Sequence, residues 1–297
     1  MTRVLLFGAS GFIGGHARDA LAADHRVTEV ICPGRAAHDL LDGTPAALTG
    51  LLREVAPDAV VNCVGALTGT AAQLVTANTL VAAKLLAATA DAVPQARLVR
   101  LGSAGEYGPV PQRLPVTEDA PARPVSAYGV SHLAGTRLFQ LAGEAGEVDA
   151  VSLRVFNPIG PGMSQENLLG RAADRLRAAL ADGATEITLG PLSAYRDFVD
   201  VRDLAALIVA ATLAPELPHR VVNAGSGRAV TAREAVGLLA GAAGYDGRIR
   251  EVGVGPQRSQ AVDWIQAGIG RAGELGWSPV RDLETSIKDI WAAGAAR

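Results

Sequence analysis

The apolar residues 4–7 run straight into Gly8-Ala9-Ser10-Gly11-Phe12-Ile13-Gly14, and a helical pattern follows over 12–23. A strand, a glycine-spaced turn and a helix in that order constrain the fold more than any other feature of the chain. Glycine lets the turn backbone approach a ligand closely, and the helix N-terminus aims its unpaired N–H groups at negative charge. Gly8, Ser10, Gly11, Phe12, Ile13 and Gly14 are therefore expected to hold the pyrophosphate of a dinucleotide.

The alternation continues. Strand-like runs at 27–32, 59–64, 98–101 and 151–156 are interleaved with helical stretches at 46–55, 71–90 and 128–141. Apolar strands separated by helices specify an α/β fold with a Rossmann-type, doubly wound parallel sheet. From Pro158 the regularity loosens, with Gly160, Pro161 and Gly162 close behind and helices expected at 168–180, 200–213, 231–243 and 283–293. The expected organisation is a dinucleotide-binding domain of residues 1–157 and about 198–228. A smaller, interwoven C-terminal substrate lobe is expected to take residues of about 158–197 and 229–297. Trp264, Trp277 and Trp291 are expected to pack that lobe.

With 27 basic and 30 acidic residues the formal net charge is −3, and no basic run stands out. That argues against nucleic acid or an anionic membrane as partner and for a small molecule. Position 1 leads directly into an apolar strand without the pattern of a secretory signal, and no segment reads as a membrane span, so a cytoplasmic protein is expected. Cys32 and Cys63 each end a strand-like run and read as buried free thiols. His16, His25, His38 and His219 lack metal-ligand spacing, so no metal is expected.

The tip of the second strand helps select the cofactor. A carboxylate there binds the adenosine ribose hydroxyls, whereas an arginine accommodates a 2′-phosphate. After Cys32 the chain reads Pro33-Gly34-Arg35, with no acid. NADP(H) is favoured and NAD(H) remains possible; Arg35 is either the phosphate partner or a solvated loop residue. Asp39 and Leu40 are expected near the adenine.

Several further segments join the glycine turn: Pro57-Asp58-Ala59-Val60-Val61-Asn62 leading into Val64-Gly65-Ala66, Asn78, Leu101-Gly102-Ser103-Ala104-Gly105-Glu106-Tyr107-Gly108, and Ala127-Tyr128-Gly129-Val130-Ser131. With them the chain resembles the extended short-chain dehydrogenase/reductase (NAD-dependent epimerase/dehydratase) family over nearly its full length. Arg154-Val155-Phe156-Asn157-Pro158, Tyr195-Arg196-Asp197-Phe198 and Asn223-Ala224-Gly225-Ser226-Gly227 resemble its nucleotide-sugar branch, nearest the GDP-6-deoxy-4-ketohexose reductases. The resemblance implies that Val64, Gly65, Ala66 and Asn78 lie against the cofactor. It implies that Ser103 hydrogen-bonds the substrate oxygen with which Tyr128 exchanges a proton. It further implies that Asn157, Arg196 and Arg258 contact a nucleotide-sugar diphosphate, and that the chain forms a homodimer. Arg196 has the alternative of pairing with Asp197 or Asp200.

Members of that family that eliminate water place an acid and a base directly after the catalytic hydroxyl. Ala104 and Gly105 stand there and neither moves a proton, so a 4,6-dehydratase is not expected. Glu106, one position later, is either structural or a substrate contact. Three readings stay open: NADPH-dependent reduction of the 4-keto group of a nucleotide-diphosphate 4-keto-(6-deoxy)sugar, an NAD-dependent 4-epimerase, and a catalytically impaired dinucleotide sensor. The departure from the family is His132, where a lysine stands four residues after the tyrosine. A phenol titrating near ~10 shuttles protons poorly at neutral pH unless a cation favours its ionised form, and a histidine near ~6.5 is mostly neutral at pH 7. His132 is expected to contact the nicotinamide ribose and to bias the enzyme toward reduction, in which Tyr128 starts protonated.

Overall fold

Val4, Leu5, Leu6 and Phe7 of the first strand are all buried. A strand apolar on both faces belongs inside a parallel sheet covered by helices on each side. The computed structural model, which describes residues 1–254 and 261–294, has that architecture. The first half runs β1 (Thr2–Phe7), α1 (Phe12–Ala23), β2 (Val27–Ile31), α2 (Pro45–Val55), β3 (Ala59–Asn62), α3 (Ala71–Val75), α4 (Val81–Ala92), β4 (Arg97–Ser103), α5 (Ala127–Glu144) and β5 (Ala150–Val155). The second half runs β6 (Asn157–Ile159), α6 (Leu168–Asp182), β7 (Glu186–Leu189), β8 (Tyr195–Asp200), α7 (Val201–Leu213), β9 (Val221–Ala224), β10 (Ala229–Thr231), α8 (Ala232–Ala243), β11 (Arg248–Glu251), α9 (Gly270–Glu274) and α10 (Leu283–Gly294).

The main sheet has the order β2-β1-β3-β4-β5-β9, parallel throughout. The chain leaves β1 for β2 on one side and returns to β3 on the other, so a crevice opens at the carboxyl ends of β1 and β3, where such sheets bind ligands. The start of α1 fixes its shape. Gly8 takes φ +83°, and a Cβ at Gly14 would stand 1.9 Å from the Gly8 carbonyl oxygen. Only glycine at position 14 lets α1 pack this close to the end of β1.

Local signals set the other helix starts. Thr44 caps α2 with Pro45 as its first residue, Thr70 and Gln73 form a reciprocal capping box on α3, and Ser126 accepts from the Gly129 N–H at the start of α5. Between α3 and α4 the residues Thr76–Leu80 form a π-helical turn. Such a turn widens the helix by one residue per turn and redirects the side chains that follow.

One helical run corrects the sequence reading: Ala71–Ala92 is long and apolar enough to cross a membrane by length and composition. In the fold its Val81, Ala82, Leu85 and Ala88 pack against Leu48, Leu52 and Phe139 in the core on one face of the sheet. Its hydrophobicity is that of a core helix.

The second lobe has its own core, in which Leu169, Leu176, Leu189, Val236 and Ile287 meet. It also has a three-stranded sheet, β10-β8-β6, and a β11-β7 pair. The expected lobe boundaries need two changes. Phe198 packs in this second core and not in the first. Ala272 and Trp277 cross back to the main sheet, packing with Leu204 and Leu207, and the Trp277 indole N–H donates to the Asp203 carbonyl at 2.8 Å. Trp277 thus ties the C-terminal segment to the dinucleotide domain.

Because the Gly14–Gly8 approach sets the crevice, Gly14→Ala is expected to destabilise the protein by about 1–3 kcal/mol through backbone displacement. It should also weaken dinucleotide binding at least tenfold, read by thermal melting and cofactor fluorescence titration.

Candidate active site

A cavity of about 900 Å³ opens at the carboxyl ends of β1, β3 and β4 and extends to the second lobe. Gly11, Phe12, Ile13 and Gly14 line one end. Gly11 caps α1 without a side-chain hydrogen bond, and the first turn carries no acid. Its amide groups therefore face the cavity uncompensated, as an anion site requires. Val64, Gly65 and Ala66 line the adjacent wall. Two asparagines hold that wall: Asn62 accepts from the Val64 N–H at 3.0 Å, and Asn78 accepts from Ala66 N–H at 2.8 Å while donating to the Ala66 carbonyl at 3.1 Å. Asn78 itself is buried in the π-helical turn and stands off the cavity surface. Its expected place against a cofactor is corrected to a brace behind the wall.

Ser103, Tyr128 and His132 all line the cavity. Ser103 ends β4, and its Oγ accepts from the Gly105 N–H at 3.1 Å. The Tyr128 ring lies over Gly105, where a Cβ would come within 3.3 Å of the ring and 3.4 Å of Ser103 Oγ. One helical turn on, the His132 ring meets that of Tyr128 edge-on, with centroids 4.6 Å apart. His132 is 7% exposed, and its Nδ1 is buried with no hydrogen-bond partner among the described residues. Burial, and secondarily the charge of Arg100, push its pKa down to about 3, so the imidazole is neutral at physiological pH. An unpartnered buried ring nitrogen beside a tyrosine, uncompensated helix amides and a turn with no room for a Cβ fit a nicotinamide dinucleotide.

Glu106 lies beneath this centre and contributes nothing to the cavity wall, so of its two expected roles, structural or substrate contact, the fold places it in the structural one. The carboxylate is fully buried. One oxygen accepts from the Ser103 N–H at 2.9 Å and from Thr136 Oγ1 at 2.9 Å; the other accepts from Arg154 Nε at 2.8 Å. Because Glu106 sits in the turn after β4, its side chain folds back under the strand. Arg154 also lies 4.6 Å over the ring of Tyr107. Burial pushes the Tyr107 phenol up to about 12, and its hydroxyl donates to Asn223 Oδ1 at 2.6 Å, so this tyrosine is structural.

Asn157 and Arg196 line the substrate side. Asn157 donates to the Asp197 carbonyl at 3.1 Å, and Arg196 donates to the Tyr195 carbonyl at 2.8 Å. The carboxylates named as alternative partners are committed elsewhere. Asp197 accepts from Ser226, Gly227 and Ala267, and Asp200 from Arg202 and Ser286. Arg258 lies outside the described residues. The cavity adds two arginines that sequence reading missed, Arg171 and Arg175 of α6. Their i, i+4 spacing on an amphipathic helix was the available signal. At the other end, Ser10 is exposed at the turn tip and Gly8 lies behind it. Arg35 is exposed, 3.7 Å from Asp39, and outside the cavity as it stands. Leu40 is 5% exposed and faces the core, which corrects its expected place beside the adenine.

Residues 4–225 match the NAD dependent epimerase/dehydratase family. The chain belongs to that family. It is 38% identical, over 98% of its length and 95% of the relative's, to a dTDP-6-deoxy-L-talose 4-dehydrogenase (NAD(P)(+)) of Kitasatospora kifunensis. It is 28% identical to a GDP-6-deoxy-D-mannose reductase of Pseudomonas aeruginosa, covering 97% and 95% of the two chains. Its fold superposes on that of RMD from Pseudomonas aeruginosa complexed with NADPH with a TM-score of 0.87, at 28% identity and covering 100% and 98% of the chains. As a member of the epimerase/dehydratase family the chain is an NAD(P)-dependent enzyme.

Two predictions follow from the buried groups. Glu106→Gln leaves Arg154, 2% exposed, without its counter-charge, and should cost about 3–5 kcal/mol in chemical denaturation. His132 titrates at 6.5 when solvated and at about 3 in the fold. Above pH 6.5 neither state is protonated. As pH falls below 6.5 the unfolded chain takes up a proton that the folded chain refuses, so stability is lost between pH 6.5 and about 3. His132→Gln should flatten that part of the melting-temperature profile.

Proposed function

We propose that this enzyme reduces the 4-keto group of a nucleotide-diphosphate 4-keto-(6-deoxy)sugar with NADPH. The observation that carries the reading is the placement of Ser103 and Tyr128 in one cavity with Asn157, Arg175 and Arg196, while Ala104 and Gly105 occupy the positions where elimination needs an acid and a base. A guanidinium binds phosphate oxygens in a planar, bidentate way, so the arginine-lined side suits a sugar diphosphate. The relatives named above, a 4-dehydrogenase and a reductase of deoxysugar nucleotides, support the same substrate class.

In this reading the α1 amides receive the pyrophosphate and Arg35 receives the 2′-phosphate of the cofactor, exchanging an exposed pairing with Asp39 of little energetic worth. His132, which lines the cavity, lies beside the nicotinamide ribose. NADPH, when bound, supplies the hydride. Ser103 orients the keto oxygen by a hydrogen bond, and Tyr128 gives it a proton as negative charge develops there.

The test is NADPH oxidation in the presence of dTDP-, GDP- and UDP-linked 4-keto-6-deoxy sugars. Turnover with at least one of them is expected, slower with NADH. Tyr128→Phe should lower kcat by about 10²–10⁴-fold with KM little changed. Binding of NADPH without oxidation across the panel would sink the reading. A preparation that carries tightly held NAD(H) and interconverts nucleotide sugars without net NADPH consumption would replace it with the epimerase.

A further inference from the structure

His16 lies on α1, one turn after Phe12, and its ring has a neighbour on each side of the cavity. It meets the Phe12 ring edge-on, with centroids 5.9 Å apart, and Phe12 lines the cavity at the dinucleotide end. Its Nε2 lies 3.0 Å from the Pro161 carbonyl, 145 residues away in the segment between β6 and α6. A carbonyl oxygen only accepts, so Nε2 is the protonated nitrogen and donates.

Pro161 sits at the start of the turn that closes the substrate end. Gly160 takes φ +147° and Gly162 φ +84°, so the backbone on both sides of Pro161 follows a path that residues with a side chain rarely adopt. A Cβ at Gly160 would stand 2.7 Å from Val201 Cγ1, and one at Gly170 would stand 2.2 Å from the Ser164 carbonyl oxygen. The turn is thereby pressed against the start of α7 at one end and against α6 at the other. Between those two points Met163, Ser164, Asn167 and Leu168 line the cavity.

We propose that His16 is a positioning residue for the substrate: by holding the Pro161 carbonyl it fixes the wall formed by Met163, Ser164 and Asn167 in register with the helix that receives the cofactor. His16 lines no part of the cavity itself and acts through the turn. The inference rests on the reading of this end of the cavity as the nucleotide-sugar side. The bond differs from the other holds on the turn in where it comes from. Val201 and Gly170 act through packing beside the turn, and Arg171 donates to the Gln165 carbonyl at 3.2 Å from α6. His16 acts from the helix whose first amides face the pyrophosphate. Loss of the bond therefore releases the substrate wall while Gly11, Phe12 and Gly14 of the cofactor turn stay in place.

His16→Phe and His16→Gln test the proposal in the full-length protein. Phenylalanine keeps a ring against Phe12 and removes the donor, whereas the glutamine amide places a donor near the position of Nε2. NADPH affinity is read by fluorescence titration, and dTDP, UDP and GDP are titrated by calorimetry into enzyme saturated with NADP+. His16→Phe should bind NADPH within about twofold of wild type and the nucleoside diphosphate about five- to tenfold more weakly, the size of one neutral hydrogen bond. KM for the keto sugar should rise by the same factor with kcat little changed, and His16→Gln should stay near wild type. Unchanged nucleoside-diphosphate binding in His16→Phe would overturn the proposal. Equal losses for NADPH and the nucleoside diphosphate would overturn it too, since they mark a general loss of structure. If His16→Phe does not fold, His16→Asn decides: its amide is too short to reach Pro161 and should give the same selective loss. Wild-type protein that binds none of the three diphosphates removes the nucleotide-sugar reading and this inference with it; binding that His16→Phe leaves intact removes only the role of His16.

Discussion

The Glu106 carboxylate is the joint on which the centre of this molecule depends. It binds the backbone N–H of Ser103 at the end of β4, the Thr136 hydroxyl on α5 and the Arg154 guanidinium on β5. Glu106 thereby ties α5 to β4 and β5, which are already paired as neighbouring strands. Ser103 reaches the cavity because its own peptide is anchored, and Tyr128 reaches it because α5 is clamped eight residues further along. A carboxylate buried this deeply is tolerated because charged and hydrogen-bonded partners satisfy it on both oxygens. Arg154 extends the network to Tyr107 and, through Asn223, to the last strand of the sheet.

The small residues between the two anchored elements matter as much as the charges. Gly105 lies under the Tyr128 ring, and a Cβ at Gly129 would come within 2.3 Å of the Gly105 carbonyl. Close approach of α5 to the turn after β4 brings the phenol onto Ser103. Gly105 and Gly129 thus set how closely α5 approaches the turn after β4.

Most of the main sheet was legible in the sequence because its central strands are largely apolar on both faces and most of its helices begin at glycine, threonine, serine or aspartate. The helix expected over 12–23 spans those residues in the fold, α2, α5 and α6 differ from expectation by a few terminal residues, and the single helix expected over 71–90 is divided into α3, a π-helical turn and α4. What stayed hidden shares one physical cause: side-chain direction within a turn is not readable from periodicity. Glu106 folds back under the strand instead of facing substrate. Asn78 points inward because a π-helical turn breaks the regular period at Thr76–Leu80. Trp277 crosses to the main core, a contact that depends on how a distant loop returns. Arg100 was invisible as a buried cation because a single charge inside an apolar strand run shows neither its partners nor its depth. Arg171 and Arg175 carried a helical-spacing signal, but their cavity is built only when the second lobe closes over the first.

His132 and Arg100 are both buried, and Arg100 donates to the His132 carbonyl of α5 at 3.4 Å. A neutral imidazole accepts burial without a counter-ion, and its Nδ1 is buried with no hydrogen-bond partner among the described residues. Arg100 is held by the hydroxyls of Thr136 and Ser152 and by the carbonyls of Asn78 and His132, which offset part of the desolvation of its guanidinium. Because those acceptors lie on β5, α5 and the π-helical turn, the same hydrogen bonds that make the buried charge tolerable also fix how these elements pack beneath the cavity.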